Sequence, residues 1–210
     1  MKILCLCPHI DDEMGMLPFV FYCQRKFSAE YFMLYFSDCQ KSSQQLGFNP
    51  DILKKENEFV IKELRVPLRN VFFEDYPVRD FPKFRQDILE RMIEIKKNIQ
   101  PDVVILPGSK DVHQDHKCIF EEGCRCFKNQ ATLIGFSYPW NIFEDVDNVF
   151  IEVDKVTADK IVSLLGNYKS QKSRLYMKEN FIRASFIANG IKIGKPMAAG
   201  YELIKGRFCL

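Results

Sequence analysis

Short, wholly apolar runs alternate with longer amphipathic stretches along this chain, and the alternation predicts strands and helices in turn. Lys2 to Cys7 is an uninterrupted apolar run that reads as a buried strand, ended by Pro8. Met14 to Lys26 is apolar enough for a helix packed on a sheet, and the aromatic-rich Glu30 to Ser37 reads as a second strand. Asp38 to Pro50 is polar and is expected to be a loop. Asp51 can cap a helix from Ile52 to about Leu64, where Leu53, Phe59, Val60 and Leu64 fall near helical spacing. Asn70 to Phe73 predicts a third strand. From Phe81 to Asn98, Ile88, Leu89, Met92, Ile93 and Ile95 keep a helical period until Pro101 stops it. Asp102 to Leu106 is the most strand-like run of all, closed by Pro107 and Gly108. Thr132 to Phe136 and Val149 to Val153 predict further strands, and Thr157 to Lys172 a late helix. The tail from Arg174 to Leu210, broken by Gly190, Gly194 and Gly200, is read as less regular.

Strand, loop and helix recurring in this order point to an α/β fold with a mostly parallel sheet, in which ligands gather beyond the carboxyl ends of the strands. A length of 210 residues suits a single domain over residues 1–210. The formal charge of +2 gives no field strong enough to imply nucleic acid or anionic lipid as a partner. The longest apolar stretch, Met14 to Cys23, is about half of the ~20 residues a membrane-spanning helix needs, so no span is expected. The first apolar run is too short for the core of a signal peptide, and no cleaved leader is expected. Eight cysteines without an export signal are expected to be free thiols in a reducing, cytoplasmic compartment. Cys5-x-Cys7 and Cys124-x-Cys126 are spaced more closely than structural zinc pairs and are read as buried packing. Nineteen phenylalanines point to extra buried surface and leave a homo-oligomer open.

The chemistry lies in the histidines. All three fall in two acid-rich segments, Pro8-His9-Ile10-Asp11-Asp12-Glu13 and Asp111-Val112-His113-Gln114-Asp115-His116, each following a predicted strand. A catalytic zinc site takes three ligands from His and Asp or Glu and keeps a fourth position open, and His9, Asp12 and His116 can supply that set. Ferrous iron accepts the same ligand types. Water held by such an ion has its pKa lowered toward ~7. Asp11 is then the candidate general base, and His113 the candidate donor to the oxyanion that develops on attack. Asp115 is placed to orient one imidazole, and Glu13 to support the site rather than react. No Gly-x-Gly-x-x-Gly follows the first strand, which argues against a nucleotide site.

With those residues in view, the chain resembles the LmbE-like, or PIG-L, family of metal-dependent N-deacetylases. That family carries Pro-His-Pro-Asp-Asp-Glu near its start and a later His-x-Asp-His, matched here by residues 8–13 and 113–116. Fainter echoes are Ser37-Asp38, Lys55-Glu56, Tyr168-Lys169-Ser170-Gln171 and Tyr201-Glu202. Ile10 replaces the usual second proline, and paired glycines common after the first motif are missing. The resemblance implies a Rossmann-like three-layer fold, zinc on His9, Asp12 and His116, Asp11 as base and His113 as stabiliser of the tetrahedral intermediate. It also implies removal of acetyl from an N-acetylglucosamine-type conjugate. Arg79, Asp80, Trp140 and Asn141 are expected on the substrate side, Trp140 as an aromatic platform for a sugar. Hydrolysis of another amide conjugate, or a non-catalytic binding role on the same fold, are the competing readings.

Overall fold

In β1 (Lys2–Cys7), alternate side chains leave the two faces of a sheet, as strand geometry requires. A computed structural model, describing residues 1–207, packs Ile3, Cys5 and Cys7 into one core and Leu4 and Leu6 into another. Both faces of the strand are covered, which is why its sequence is apolar throughout rather than alternating. The chain continues through α1 (Leu17–Lys26), β2 (Glu30–Tyr35), α2 (Gln40–Gln45), α3 (Ile52–Glu63) and β3 (Val71–Phe73). It returns through α4 (Arg85–Ile99), β4 (Val103–Pro107), α5 (Gln114–Phe127) and β5 (Thr132–Phe136). It ends with β6 (Val149–Glu152), α6 (Lys155–Leu165), α7 (Glu179–Lys192) and β7 (Ala198–Lys205).

The seven strands lie in the order β3-β2-β1-β4-β5-β7-β6. The first five are parallel, and β7 runs antiparallel to both of its neighbours. One core gathers apolar residues of α1, α3, α6 and α7, and the other those of α4 and α5. This is the three-layer α/β architecture that the alternation predicted. After β3 the chain crosses back past β1 to lay down β4, so β1 and β4 flank the point where the strand order reverses. A crevice opens there beyond the strand ends. The two histidine segments follow β1 and β4.

Several boundaries differ from expectation. The polar segment 38–50 contains α2, a short helix whose Ser43 is buried. The 157–172 helix begins at Lys155, where Asp154 caps it through Thr157 N at 2.7 Å, and ends at Leu165, followed by a 3-10 turn at Lys169–Gln171. Phe59 is 57% exposed while Ile61 takes the buried position on α3. The tail is regular: α7 carries Ile182 and Phe186 into the core and β7 pairs with both β5 and β6. No helix among the described residues is long and apolar enough to cross a membrane. Seven cysteines are free, six buried and Cys124 partly exposed; Cys209 lies outside the described residues.

Candidate metal centre

Pro8 ends β1 and turns the chain over the sheet edge, so residues 9–13 form a tight loop above β1. Asp11 sits at φ +100°, a left-handed conformation that a residue with a side chain seldom adopts. The loop is held from below by Glu13, which is fully buried and accepts hydrogen bonds from Asp11 N at 3.2 Å, Asn57 Nδ2 at 2.8 Å and the Tyr168 hydroxyl. Burial pushes the Glu13 carboxyl up to about 7, although the Tyr168 and Asn57 bonds pull the other way. Gly15 completes the seat: a Cβ there would lie 2.6 Å from the Phe136 ring.

The second segment gains its order from a helix start. His113 is the N-cap of α5, its Nδ1 accepting from Asp115 N at 3.2 Å, and His116 follows in the first turn. Gly123, further along α5, permits close approach to the sheet, since a Cβ there would meet Leu106 Cδ1 at 2.8 Å. The helix therefore rests directly on β4 and delivers His116 to the crevice.

The two segments meet at Asp12. Its Oδ2 lies 3.3 Å from His9 Nδ1 and 3.4 Å from His116 Nε2, and one ligand atom from each of His9, Asp12 and His116 lies within 4.8 Å of the others. The far nitrogen of each ring meets a carboxylate: His9 Nε2 is 2.9 Å from Asp115 Oδ2, and His116 Nδ1 is 2.8 Å from Asp111 Oδ2. Such carboxylates fix ring orientation and raise ligand basicity. Two imidazoles and one carboxylate, open toward a cavity, fit the donor set of a zinc or ferrous ion.

The electrostatics follow from this packing. Burial opposes charge on both Asp12 and His116, but their mutual attraction and hydrogen bonds win. Asp12 is held well below the usual carboxylate range, and Asp12 with Asp111 lifts His116 to about 10. Burial and the Asp12 charge push Asp11 well above its usual value. His113 moves the opposite way, down to about 4, through burial and the neighbouring His116 and His9. It is neutral at pH 7; with Nδ1 accepting, its proton is on Nε2.

Residues 4–127 match the model of the PIG-L family, described as GlcNAc-PI de-N-acetylase. The chain belongs to this family. No curated protein sequence matches it. Among solved structures it is similar to N,N'-diacetylchitobiose deacetylase from Pyrococcus horikoshii, with a TM-score of 0.76 and 19% identity over 96% of this chain and 82% of the other. The zinc-inhibited form of teicoplanin deacetylase Orf2 gives a TM-score of 0.71 at 13% identity, covering 96% of each chain. GalB, the 4-carboxy-2-hydroxymuconate hydratase of Pseudomonas putida KT2440, gives 0.71 at 15% identity, covering 100% of this chain and 98% of the other. At these identities the likeness concerns the fold, and a fold shared by deacetylases and a hydratase leaves the reaction to be argued from the site.

In this PIG-L family member the cluster opens into a cavity of about 280 Å³, lined by His9, Asp11, Asp12, His113 and His116 together with Arg79, Trp140 and Asn141. Asp80 is not brought there; it pairs with Lys83 at 2.7 Å on the surface. Arg79 turns at φ +73°, its N–H donating to Asp115 at 2.6 Å, and this turn sends Asp80 away. Trp140 is no open platform. It is parallel to Tyr138 at 4.7 Å and to Tyr176 at 4.3 Å, so its faces are occupied and only its edge is offered. Asn141 accepts through its carbonyl from Val112 N at 2.9 Å, tying this wall to the second histidine segment. The sequence reading missed Arg174 and Tyr176 in the wall and Asp111 behind His116, and quoted Gln171, which also lines the cavity, only within a family echo. Asp111 stood within the motif segment and was open to recognition as an imidazole partner. Arg174 and Tyr176 lie in the tail, where no spacing marks them.

Proposed function

We propose that the protein is a metal-dependent N-deacetylase that removes acetyl from an N-acetylated amino sugar, of N-acetylglucosamine type, carried on a conjugate. The observation that carries this reading is the convergence of His9, Asp12 and His116 on one point, with Asp11 and His113 in the same cavity. A zinc or ferrous ion on the triad would polarise the acetamide carbonyl and make water more acidic.

The rest is the work of this chain's own groups. Asp11 takes a proton from the attacking water on a carboxylate oxygen and returns it to the nitrogen as the C–N bond breaks, giving acetate and a free amine. His113 donates from Nε2 to the carbonyl oxygen as charge gathers on it, a contribution of about 10²–10³ in rate for one such donor. Asp115 and Asp111 hold the His9 and His116 rings, and Glu13 holds the loop that aims Asp11. The wall at Arg79, Trp140, Asn141, Arg174 and Tyr176 receives the sugar and its conjugate. Family membership and the deacetylases among its structural neighbours support the reaction class.

The test is release of acetate from N-acetylglucosamine conjugates by protein loaded with zinc or ferrous ion, beside chelator-treated protein. Acetate appearing only with the loaded protein supports the reading. Loaded protein that holds metal yet releases no acetate from any amino-sugar conjugate would overturn the substrate class.

A further inference from the structure

A second cavity, of about 180 Å³, adjoins the first through a shared wall of Tyr138 and Trp140. Met14, Pro18, Ile142, Phe186 and Tyr201 make its lining largely apolar, and Asp147 and Ser137 stand among them. Among the described residues four buried side-chain polar atoms lack a hydrogen-bond partner, and two of the four, Asp147 Oδ1 and Ser137 Oγ, belong to this lining. Unpaired buried polar groups are costly and rare, so two around one cavity ask for an occupant. The neighbouring charges are already matched: Lys192 pairs with Asp145, and Glu202 accepts from Ser109 N at 2.8 Å and Ser109 Oγ at 2.7 Å. Asp147 is the carboxylate left over. It rests on β7 at Gly200, where any Cβ would collide with its Oδ2. With its carboxyl lifted to about 6, Asp147 is ionised at pH 8 in apolar surroundings.

We propose that this second cavity binds a small organic cation, a protonated primary amine carried on an apolar ring or chain, with Asp147 as its counter-charge. An ammonium group has three protons to donate, and the Asp147 carboxylate and the Ser137 hydroxyl both accept. The apolar body takes the place of water against Met14, Ile142 and Phe186. A neutral hydroxyl would satisfy an oxygen but leave the charge of Asp147 unmatched. A metal ion lacks donors here, since both convergent donor groups among the described residues lie at the histidine centre. Trp140, the only tryptophan of the chain, lines this cavity and therefore reports on what enters it. The binding does not rest on the deacetylase reading.

The experiment titrates the whole chain at pH 8 with phenethylamine and, separately, with its uncharged counterpart phenethyl alcohol, following Trp140 fluorescence. The amine should saturate the signal and bind at least about ten-fold more tightly than the alcohol. Asp147→Asn, checked for folding by circular dichroism, should lose that preference, and Ser137→Ala should weaken the amine by about two- to five-fold. Arg174→Gln, which alters the wall of the first cavity alone, should leave the amine's affinity within about two-fold of the parent's. Equal affinities for amine and alcohol in the parent, an amine preference that survives Asp147→Asn, or no saturation by about 10 mM amine overturns the proposal. Each of those outcomes leaves the deacetylase reading standing, because acetate release tests that reading separately.

Discussion

Residues 4–127, which match the family model, and residues 128–207, which lie beyond it, divide the cavity between them. The first part supplies every donor of the metal cluster and both carboxylates behind its imidazoles. The second supplies Tyr138, Trp140, Asn141, Gln171, Arg174 and Tyr176 to the cavity wall, which residues 4–127 share through Ser42, Leu46, Val78 and Arg79 among others. Under the proposed function the donor atoms serve an ion, whose coordination tolerates little variation, while the wall serves one substrate among many. Substitutions among the donors and in the wall that residues 128–207 supply should therefore, under that function, fail in different ways.

The sharpest separation should come from His116→Ala, which removes a ligand: bound metal should disappear and turnover fall by at least about 10³. Elemental analysis with an acetate assay reads both. Asp11→Asn should keep its metal and lose about 10²–10⁴ in kcat, since only the proton transfer is removed; parent-like turnover would displace Asp11 as the base. Asp111→Asn, which leaves the ligands intact but loosens the His116 ring, should weaken metal affinity about 10–100-fold in competition with a chelator. On the other wall, Arg174→Gln and Tyr176→Ala should raise KM about ten-fold with metal content unchanged and kcat within about two-fold. A metal loss in either wall variant would dissolve the division.

The smallest effect belongs far from the centre. Burial and the neighbouring Asp145 lift Asp147 to about 6, with Lys192 pulling downward. The folded protein thus binds this proton more tightly than the unfolded chain, whose value is 3.8. The group's favourable contribution is complete below about pH 4 and is lost as pH rises through 6. Asp147→Asn should therefore raise Tm relative to the parent at pH 8, raise it by roughly half as much at pH 5, and do little below about pH 4.

Legibility in the sequence followed the same division. β1, β4 and β5 were readable because buried parallel strands are apolar at every position, and the metal donors because three histidines fell into two short motifs. α7 and β7 were hidden by their glycines: Gly190, read as a break, lies inside α7, where a Cβ would meet Lys195 O at 2.5 Å. Trp140 illustrates the limit for side chains. Its place at the cavity was accessible from its position after β5, but the rings stacked on it come from residues 138 and 176, a pairing no local pattern encodes.

The peg beneath the first loop has a consequence for the order of events during synthesis. Every metal donor has been made once residue 116 leaves the ribosome, yet the hydroxyl that closes on Glu13 belongs to Tyr168. A nascent chain therefore carries a full set of donors on a loop whose strained turn at Asp11 is not yet braced. The last brace of that loop is supplied only by the final third of the polypeptide, long after the most conspicuous motif in the chain has been made.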